Sequence, residues 1–126
     1  MLIRTGWVRE YEKLDASACQ ALAALPNPPA IGLESSEATL RFLWDKRIAA
    51  VAGDQPSMEA WPCQNLDFWL HEWLLAGWGL PIGELFWLEQ LAEECQKRKR
   101  WSFWFSSMPI KVPGGVASPP NGYAIF

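Results

Sequence analysis

The only histidine of the chain, His71, lies in a strongly apolar segment that runs from Leu66 to Leu80. Thirteen residues after it, just beyond a Gly-x-Pro-x-Gly turn, comes the carboxylate of Glu84. An imidazole and a carboxylate that a turn brings together can act as metal ligands or as an acid/base pair near neutral pH. The sequence therefore offers half of a catalytic or metal site, and we expect His71 and Glu84 to face one cavity.

Both residues also have ordinary structural explanations. A lone histidine in an apolar helix is more often a hydrogen-bonded core residue than a ligand, and Asp67, four residues earlier, is placed to be its helix-stabilising partner. There is no second His, and no Cys stands at ligand spacing, so these residues do not complete a metal site. Composition and spacing alone indicate a domain whose activity is open.

The composition favours one globular domain over residues 1–126. Half of the residues are hydrophobic (50%) and the formal net charge is −3, which argues against nucleic acid or an anionic membrane as a partner. Three cysteines without C-x-x-C spacing, and no apolar leader, predict a reduced, soluble and cytoplasmic protein. Nine tryptophans are unusual in so short a chain, because so much aromatic surface needs a core or another chain to cover it.

Local patterns predict a mixed α/β fold around these residues. Strands are expected at 2–7, 48–53, 84–86, 101–105 and 123–126. Helices are expected at 16–25, from a Ser35-Ser36 cap to Arg47, at 88–99 and, as a buried helix, at 66–78. The helix that leads directly into strand 48–53 favours a crossover unit. The strand that begins at residue 2 must pair with a later strand or with another molecule.

Four segments together carry a resemblance to a known family. In chain order they are Val51–Pro56 leading to Glu59-Ala60-Trp61-Pro62, then His71–Glu84, then Leu88–Glu93, and finally Pro109–Phe126. Together they resemble the cyclase family, the metal-dependent kynurenine formamidase-like hydrolases, and especially its eukaryotic branch. Leu2–Trp7 is similar to the strand that opens the second half of that family's domain. The resemblance runs nearly end to end, and no single segment carries it.

The resemblance implies a partial cyclase-type β/β/α domain, with a mixed sheet or open barrel flanked by helices. Members of the family use zinc or manganese to activate water against an amide or ester carbonyl, as in the hydrolysis of N-formylkynurenine to kynurenine in tryptophan catabolism. The family's later His and Glu ligands fall on His71 and Glu84, and His71 is also the candidate catalytic residue. Asp54, Glu59 and Trp61 are expected in the pocket or as groups that orient the ligands.

The family's remaining ligands come from a His-x-Gly-Thr-His-x-Asp segment, which this chain lacks. We therefore expect the chain to be the carboxyl-terminal part of a cyclase-family domain, an arylformamidase-like fragment that is inactive and does not retain zinc or manganese by itself. The alternative is a non-catalytic or complementing subunit. Such a subunit would associate with a full-length homologue, or with a copy of itself, to complete a site for a small-molecule substrate.

Overall fold

Helices and short strands share the chain in the computed structural model, which describes residues 1–126. The strands are β1 (Leu2–Ile3), β2 (Val51–Gly53), β3 (Ile82–Gly83), β4 (Trp104–Ser106) and β5 (Tyr123–Ile125). The α-helices are α1 (Trp7–Tyr11), α2 (Ala16–Ala23), α3 (Glu37–Asp45) and α4 (Glu89–Arg98), and a π-helix spans Glu72–Gly77. With 34% of the residues helical and 13% in strands, the expected mixed α/β class is confirmed.

Three strands form a parallel sheet in the order β1-β2-β3. Leu2 lies opposite Ala52, and Val51 lies opposite Ile82. All three residues of β2 are buried, as is usual for the central strand of a parallel sheet. The first strand therefore pairs with a strand from later in the same chain, which was one of the two outcomes that the sequence left open.

β4 and β5 form a separate antiparallel ribbon, with Trp104 opposite Ile125. The single mixed sheet or open barrel that the resemblance implies is therefore wrong at this level of detail, because the strands form two sheets. The parallel strands are only two or three residues long. Such short strands offer little edge for further strands to join.

β1 ends earlier than the predicted strand 2–7. The backbone N–H groups of Thr5 and Gly6 donate to the carboxylate of Asp54 instead of to a neighbouring strand. Gly6 has a left-handed backbone (φ 88), and α1 begins immediately after it. A glycine is needed here because few other residues adopt that conformation. The other predicted strands are also shorter than expected or displaced by two or three residues.

The sequence predicted the α-helices more closely than the strands. Ser36 caps α3, because its side chain accepts a hydrogen bond from the N–H of Thr39 at 3.3 Å. Leu40 and Leu43 then turn into the core, whereas Trp44 stays 63% exposed. α4 ends at Arg98, and the next residue, Lys99, has a left-handed backbone (φ 52).

The buried helix predicted over 66–78 is wrong in its continuity and largely in its burial. Only Leu70 and Leu74 of this segment are buried, whereas Leu66, Trp73 and Leu75 are exposed. A 3₁₀ turn spans Leu66–Phe68, Trp69 is extended (ψ 109), and helical structure resumes at Leu70 before it widens into the π-helix. The break removes the predicted helical pair between Asp67 and His71. The carbonyl of Asp67 instead accepts a hydrogen bond from the indole N–H of Trp73 at 2.9 Å.

The main core lies between α3, β2 and the segment that carries the π-helix. Its seven buried residues are all apolar: Leu40, Leu43, Val51, Met58, Leu70, Leu74 and Leu80. The core is small, since only 16 of the 126 residues are buried. No helix combines the length and the apolar character needed to cross a membrane.

Candidate active site around His71

The imidazole of His71 lies between two carboxylates. Its Nδ1 is 2.7 Å and 2.8 Å from the two carboxylate oxygens of Glu59, and its Nε2 is 3.4 Å from Oε1 of Glu84. The Glu59 side chain is fully buried, whereas those of His71 and Glu84 are 32% and 26% exposed. The group therefore has a closed side at Glu59 and a side that solvent or a ligand reaches at Glu84.

The loop between β2 and the π-helix fixes the position of Glu59. The N–H of Leu33 donates to the carbonyl of Met58, and the N–H of Ala60 donates to the carbonyl of Leu33, both at 2.8 Å. Gly32 approaches this loop so closely that an added Cβ would lie 2.2 Å from the backbone carbonyl carbon of Glu59. A side chain at position 32 would therefore push Glu59 away from His71.

Glu84 comes directly after β3, on the loop where the Gly-x-Pro-x-Gly turn returns the chain to the sheet. Its Oε1 accepts a hydrogen bond from the N–H of Met58 at 2.7 Å. The next residue, Leu85, has φ 57, and its N–H donates to the carbonyl of Gln55 at 3.2 Å. The loop that holds Glu59 thus holds Glu84 as well, through a backbone amide that no sequence motif identifies.

Residues that follow the strands of a parallel sheet meet at its carboxyl edge, which is the usual place for a site in such folds. Here Thr5 follows β1, Asp54 follows β2 and Glu84 follows β3. Because Glu84 lies at this edge of the sheet, the side chain of His71, which is carried by a helix, can reach it.

The hydrogen bonds that His71 donates to Glu59, and then the nearby Glu84, raise the pKa of His71 from an ordinary 6.5 to about 10. Burial acts in the opposite direction on this imidazole but is the smaller effect. For Glu59, burial alone raises the pKa, yet the hydrogen bond and charge of His71 outweigh it, so the pKa of this carboxyl lies below its usual range. At neutral pH His71 is therefore an imidazolium held against the carboxylate of Glu59.

Glu59 makes Nδ1 the hydrogen-bond donor of the ring, so Nε2 is the atom that can release a proton or bind a metal. The 3.4 Å between Nε2 and Glu84 Oε1 is long for a hydrogen bond. Two ligands about 2.0–2.2 Å from one tetrahedral zinc ion are separated by a similar distance, roughly 3.4 Å. The two atoms therefore fit as two ligands of one ion. No group of three or more His, Cys, Asp or Glu side chains is arranged to hold one.

Asp54 does not orient this pair directly, although the resemblance suggested that it would. Its carboxylate accepts hydrogen bonds from the N–H of Thr5 at 2.6 Å, the hydroxyl of Thr5 at 2.7 Å and the N–H of Gly6 at 2.6 Å. It forms no hydrogen bond with His71 or Glu84. The reason is the early end of β1, which leaves two unpaired amides directed at Asp54.

Two tryptophans stand behind the closed side of the site. Trp61, which was expected in the pocket, has its ring 6.4 Å from that of Trp69. The buried indole N–H of Trp69 has no partner within hydrogen-bonding distance, but it lies close enough to Glu59 to favour the charged carboxylate. The sequence did not identify Trp69 as a residue of the site. The break in the helix at Trp69 sets the direction of its side chain, and this break was not predicted.

Sequence reasoning also missed Gln55. Its side chain is completely buried, and its Oε1 has no hydrogen-bond partner. The side-chain amide lies against Gly53, where an added Cβ would be 2.3 Å from Oε1. The only signal in the sequence is the position of Gln55 directly after Asp54 at the end of a strand.

No protein-family model, curated protein or solved structure matches this chain significantly. The resemblance to the cyclase family rests on the sequence segments quoted above and stays a prediction.

Proposed function

We propose that this chain contributes one half of a metal-dependent hydrolase site of the cyclase type, which acts on formamide-like substrates such as N-formylkynurenine. The observation that carries the proposal is the row Glu59–His71–Glu84, in which a buried carboxylate holds Nδ1 while Nε2 faces a second carboxylate. A carboxylate behind a ligating histidine is a recurrent device of metal sites, because it sets the tautomer and raises the basicity of the ligand.

In this proposal His71 Nε2 and Glu84 Oε1 would hold zinc or manganese, and Glu59 would orient His71. The chemistry that such an ion would supply is a lower pKa of water and polarisation of the substrate carbonyl. The remaining ligands come from outside residues 1–126, on a segment of the His-x-Gly-Thr-His-x-Asp type. His71 and Glu84 alone are too few, since a catalytic zinc ordinarily has about three protein ligands.

The protein groups have separate tasks. Glu59 holds the proton on Nδ1, so that the exchangeable position of the ring is Nε2. Glu84 is held by the N–H of Met58 and remains partly open to solvent. In the alternative arrangement, in which no ion binds this pair, Nε2 of His71 keeps its proton and the two groups act as a proton-handling pair.

The fold supports a partial cyclase-type domain in one respect. The candidate ligand Glu84 follows a strand of a parallel sheet, and His71 is presented to it by a helix beside that sheet. The absence of a single mixed sheet counts against a close match to the whole family domain.

A non-catalytic, complementing subunit is the second candidate function. It is favoured by the β4–β5 ribbon, one face of which presents Trp104, Tyr123 and Ile125 at exposures of 71%, 76% and 60%. A partner chain with an intact first half of the site would cover this face and supply the missing ligands.

Formamidase turnover tests both proposals. The chain is assayed with added zinc or manganese, first alone and then mixed with a full-length cyclase-family enzyme whose own later His and Glu ligands have been replaced. We expect no turnover from the chain alone and turnover in the mixture. His71→Ala should abolish turnover in the mixture, whereas Glu12→Ala, which changes an exposed carboxylate without an ion pair, should leave it unchanged.

Calorimetry with zinc separates the two roles. If the mixture is inactive but binds zinc in a way that depends on His71, complementation of activity is wrong and the ligand assignment stands. If the mixture binds zinc equally well with the wild-type chain and with His71→Ala, the ligand assignment itself is wrong.

A further inference from the structure

A concave site lies between α3 and the helix that follows Trp69. It is a cavity of about 280 Å³ lined mainly by Trp44, Trp73, Trp78, Phe68 and Leu40. None of the residues of the His71 site lines it. Three of the nine tryptophans of the chain meet here, and the proposed hydrolase site gives them no role.

The aromatic rings form a preorganised surface. The ring of Trp78 lies 5.1 Å from that of Trp44 and 6.3 Å from that of Trp73, at interplanar angles of 56° and 67°. The indole N–H of Trp73 is held by the carbonyl of Asp67, and Phe68 and Trp78 pack on the core. The three tilted rings therefore line one pocket, and Trp44 is the most exposed of them, at 63%.

The charges at the rim favour a cation. Glu37 is neutralised by Arg41, with which it forms a 2.6 Å salt bridge along α3. The remaining charged residue of the lining, Asp45, forms no ion pair. The lining thus combines a net negative charge with three tryptophan rings, and its one positive group, Arg41, is paired with Glu37.

We propose that this pocket binds a small quaternary or methylated ammonium group. Cations are attracted to the faces of tryptophan rings, and the effect grows as the ring and the cation lose water. A methylated ammonium suits a pocket of this kind better than a primary amine, because it has apolar surface to place against the rings and loses less hydration. Asp45 provides the countercharge.

The test compares choline with its neutral tert-butyl isostere, which has the same shape but no charge. Binding to the full chain is measured by calorimetry and by tryptophan emission. We expect saturable binding of choline, with the isostere at least about tenfold weaker. Asp45→Asn should weaken choline binding by about threefold and leave the binding of the isostere unchanged.

Trp44→Ala should weaken choline binding by about tenfold. The substitution is expected to be tolerated because the ring is largely exposed, and Trp44→Phe, which keeps a ring, should recover part of the affinity. The matched control is Trp101→Ala, which removes a ring of similar exposure (68%) that lies outside the pocket.

Three results would overturn the proposal. Equal binding of choline and the isostere would make the pocket a plain apolar patch. Equal losses in Trp44→Ala and Trp101→Ala would place the binding elsewhere. The absence of saturable binding, whether the chain is a monomer or a dimer that covers the pocket, would show that the pocket does not bind this class of cation.

Discussion

The region around His71 and the carboxyl-terminal region differ in the burial of their polar and large apolar side chains. All four buried polar residues, Ser35, Asp54, Gln55 and Glu59, belong to the first region. No residue after Cys95 is buried, and the ribbon formed by β4 and β5 exposes Trp104 and Tyr123. The first region is held by specific polar contacts, whereas the second has apolar side chains without a surface that covers them.

This difference predicts where the molecule is sensitive. When a buried charge has a single charged partner, removal of that partner lowers the stability strongly, because the buried charge that remains keeps its desolvation cost. An exposed aromatic side chain contributes little to the folded state of the isolated chain, because its surroundings barely change on folding. The four predictions below test this contrast, from the largest expected effect to the smallest.

His71→Ala should lower the free energy of unfolding by about 3 kcal/mol at neutral pH, because it leaves the fully buried carboxylate of Glu59 without its charged partner. Urea denaturation at neutral pH measures the effect. Glu12→Ala is the control, since this exposed carboxylate forms no ion pair, and it should change stability by less than about 0.5 kcal/mol. Similar losses in the two variants would contradict the structural role of the His71 group.

Gly32→Ala should cost about 2 kcal/mol, because the new methyl group meets the backbone of Glu59 at 2.2 Å and the loop must move. It should also lower the pKa of His71, since the two side chains separate. Gly77→Ala provides a matched control: its added Cβ comes no closer than 3.7 Å to other atoms. An unchanged His71 pKa in Gly32→Ala would show that Gly32 does not position Glu59.

The pH dependence of stability follows from the raised pKa of His71. Because the folded-state value is about 10 and the ordinary value is 6.5, the imidazolium contributes its full stabilisation below pH 6.5, and the contribution is lost as the pH rises towards 10. Since the side chain is partly exposed and solvent screens the pair, we expect a loss on the order of 2 kcal/mol.

The lowered pKa of Glu59 has the opposite sign. Its contribution is present above its ordinary value of 4.5 and is lost as the pH falls through the folded value. Urea denaturation over the pH ranges in which Glu59 and His71 titrate measures both contributions to stability, and an NMR titration measures the pKa of His71. The titration is direct because the chain has one histidine. A midpoint near 6.5 for His71 would contradict the arrangement.

Trp104→Ser should change the stability of the isolated chain by less than about 0.5 kcal/mol, because the ring is 71% exposed. If the ribbon meets a partner, the same substitution should weaken association and reduce turnover in the complementation mixture. Sedimentation of the mixture measures the association. A large loss of stability in the chain alone would remove the contrast between the two regions.

Helix positions and the meeting of His71 with Glu84 could be read from the sequence because their signals are local. The Ser36 cap and the apolar spacing that follows it determine where α3 begins. A Gly-x-Pro-x-Gly turn returns the chain within a few residues and so brings His71 and Glu84 near each other, whereas the hydrogen bond from Met58 sets the final position of Glu84. The α/β class could be predicted for the same reason, since it is the sum of such local patterns.

Only the tertiary structure decided what surrounds that pair. Its surroundings depend on contacts between residues that are 26 or more positions apart. Gly32 closely approaches the loop of Glu59, and the N–H of Met58 donates to Glu84. Three hydrogen bonds hold Asp54 at Thr5 and Gly6. The break at Trp69 and the separation of the two sheets depend on similar contacts. Residue types do not encode such distances, because backbone amides are alike along the chain and bind whichever acceptor the folded chain brings to them.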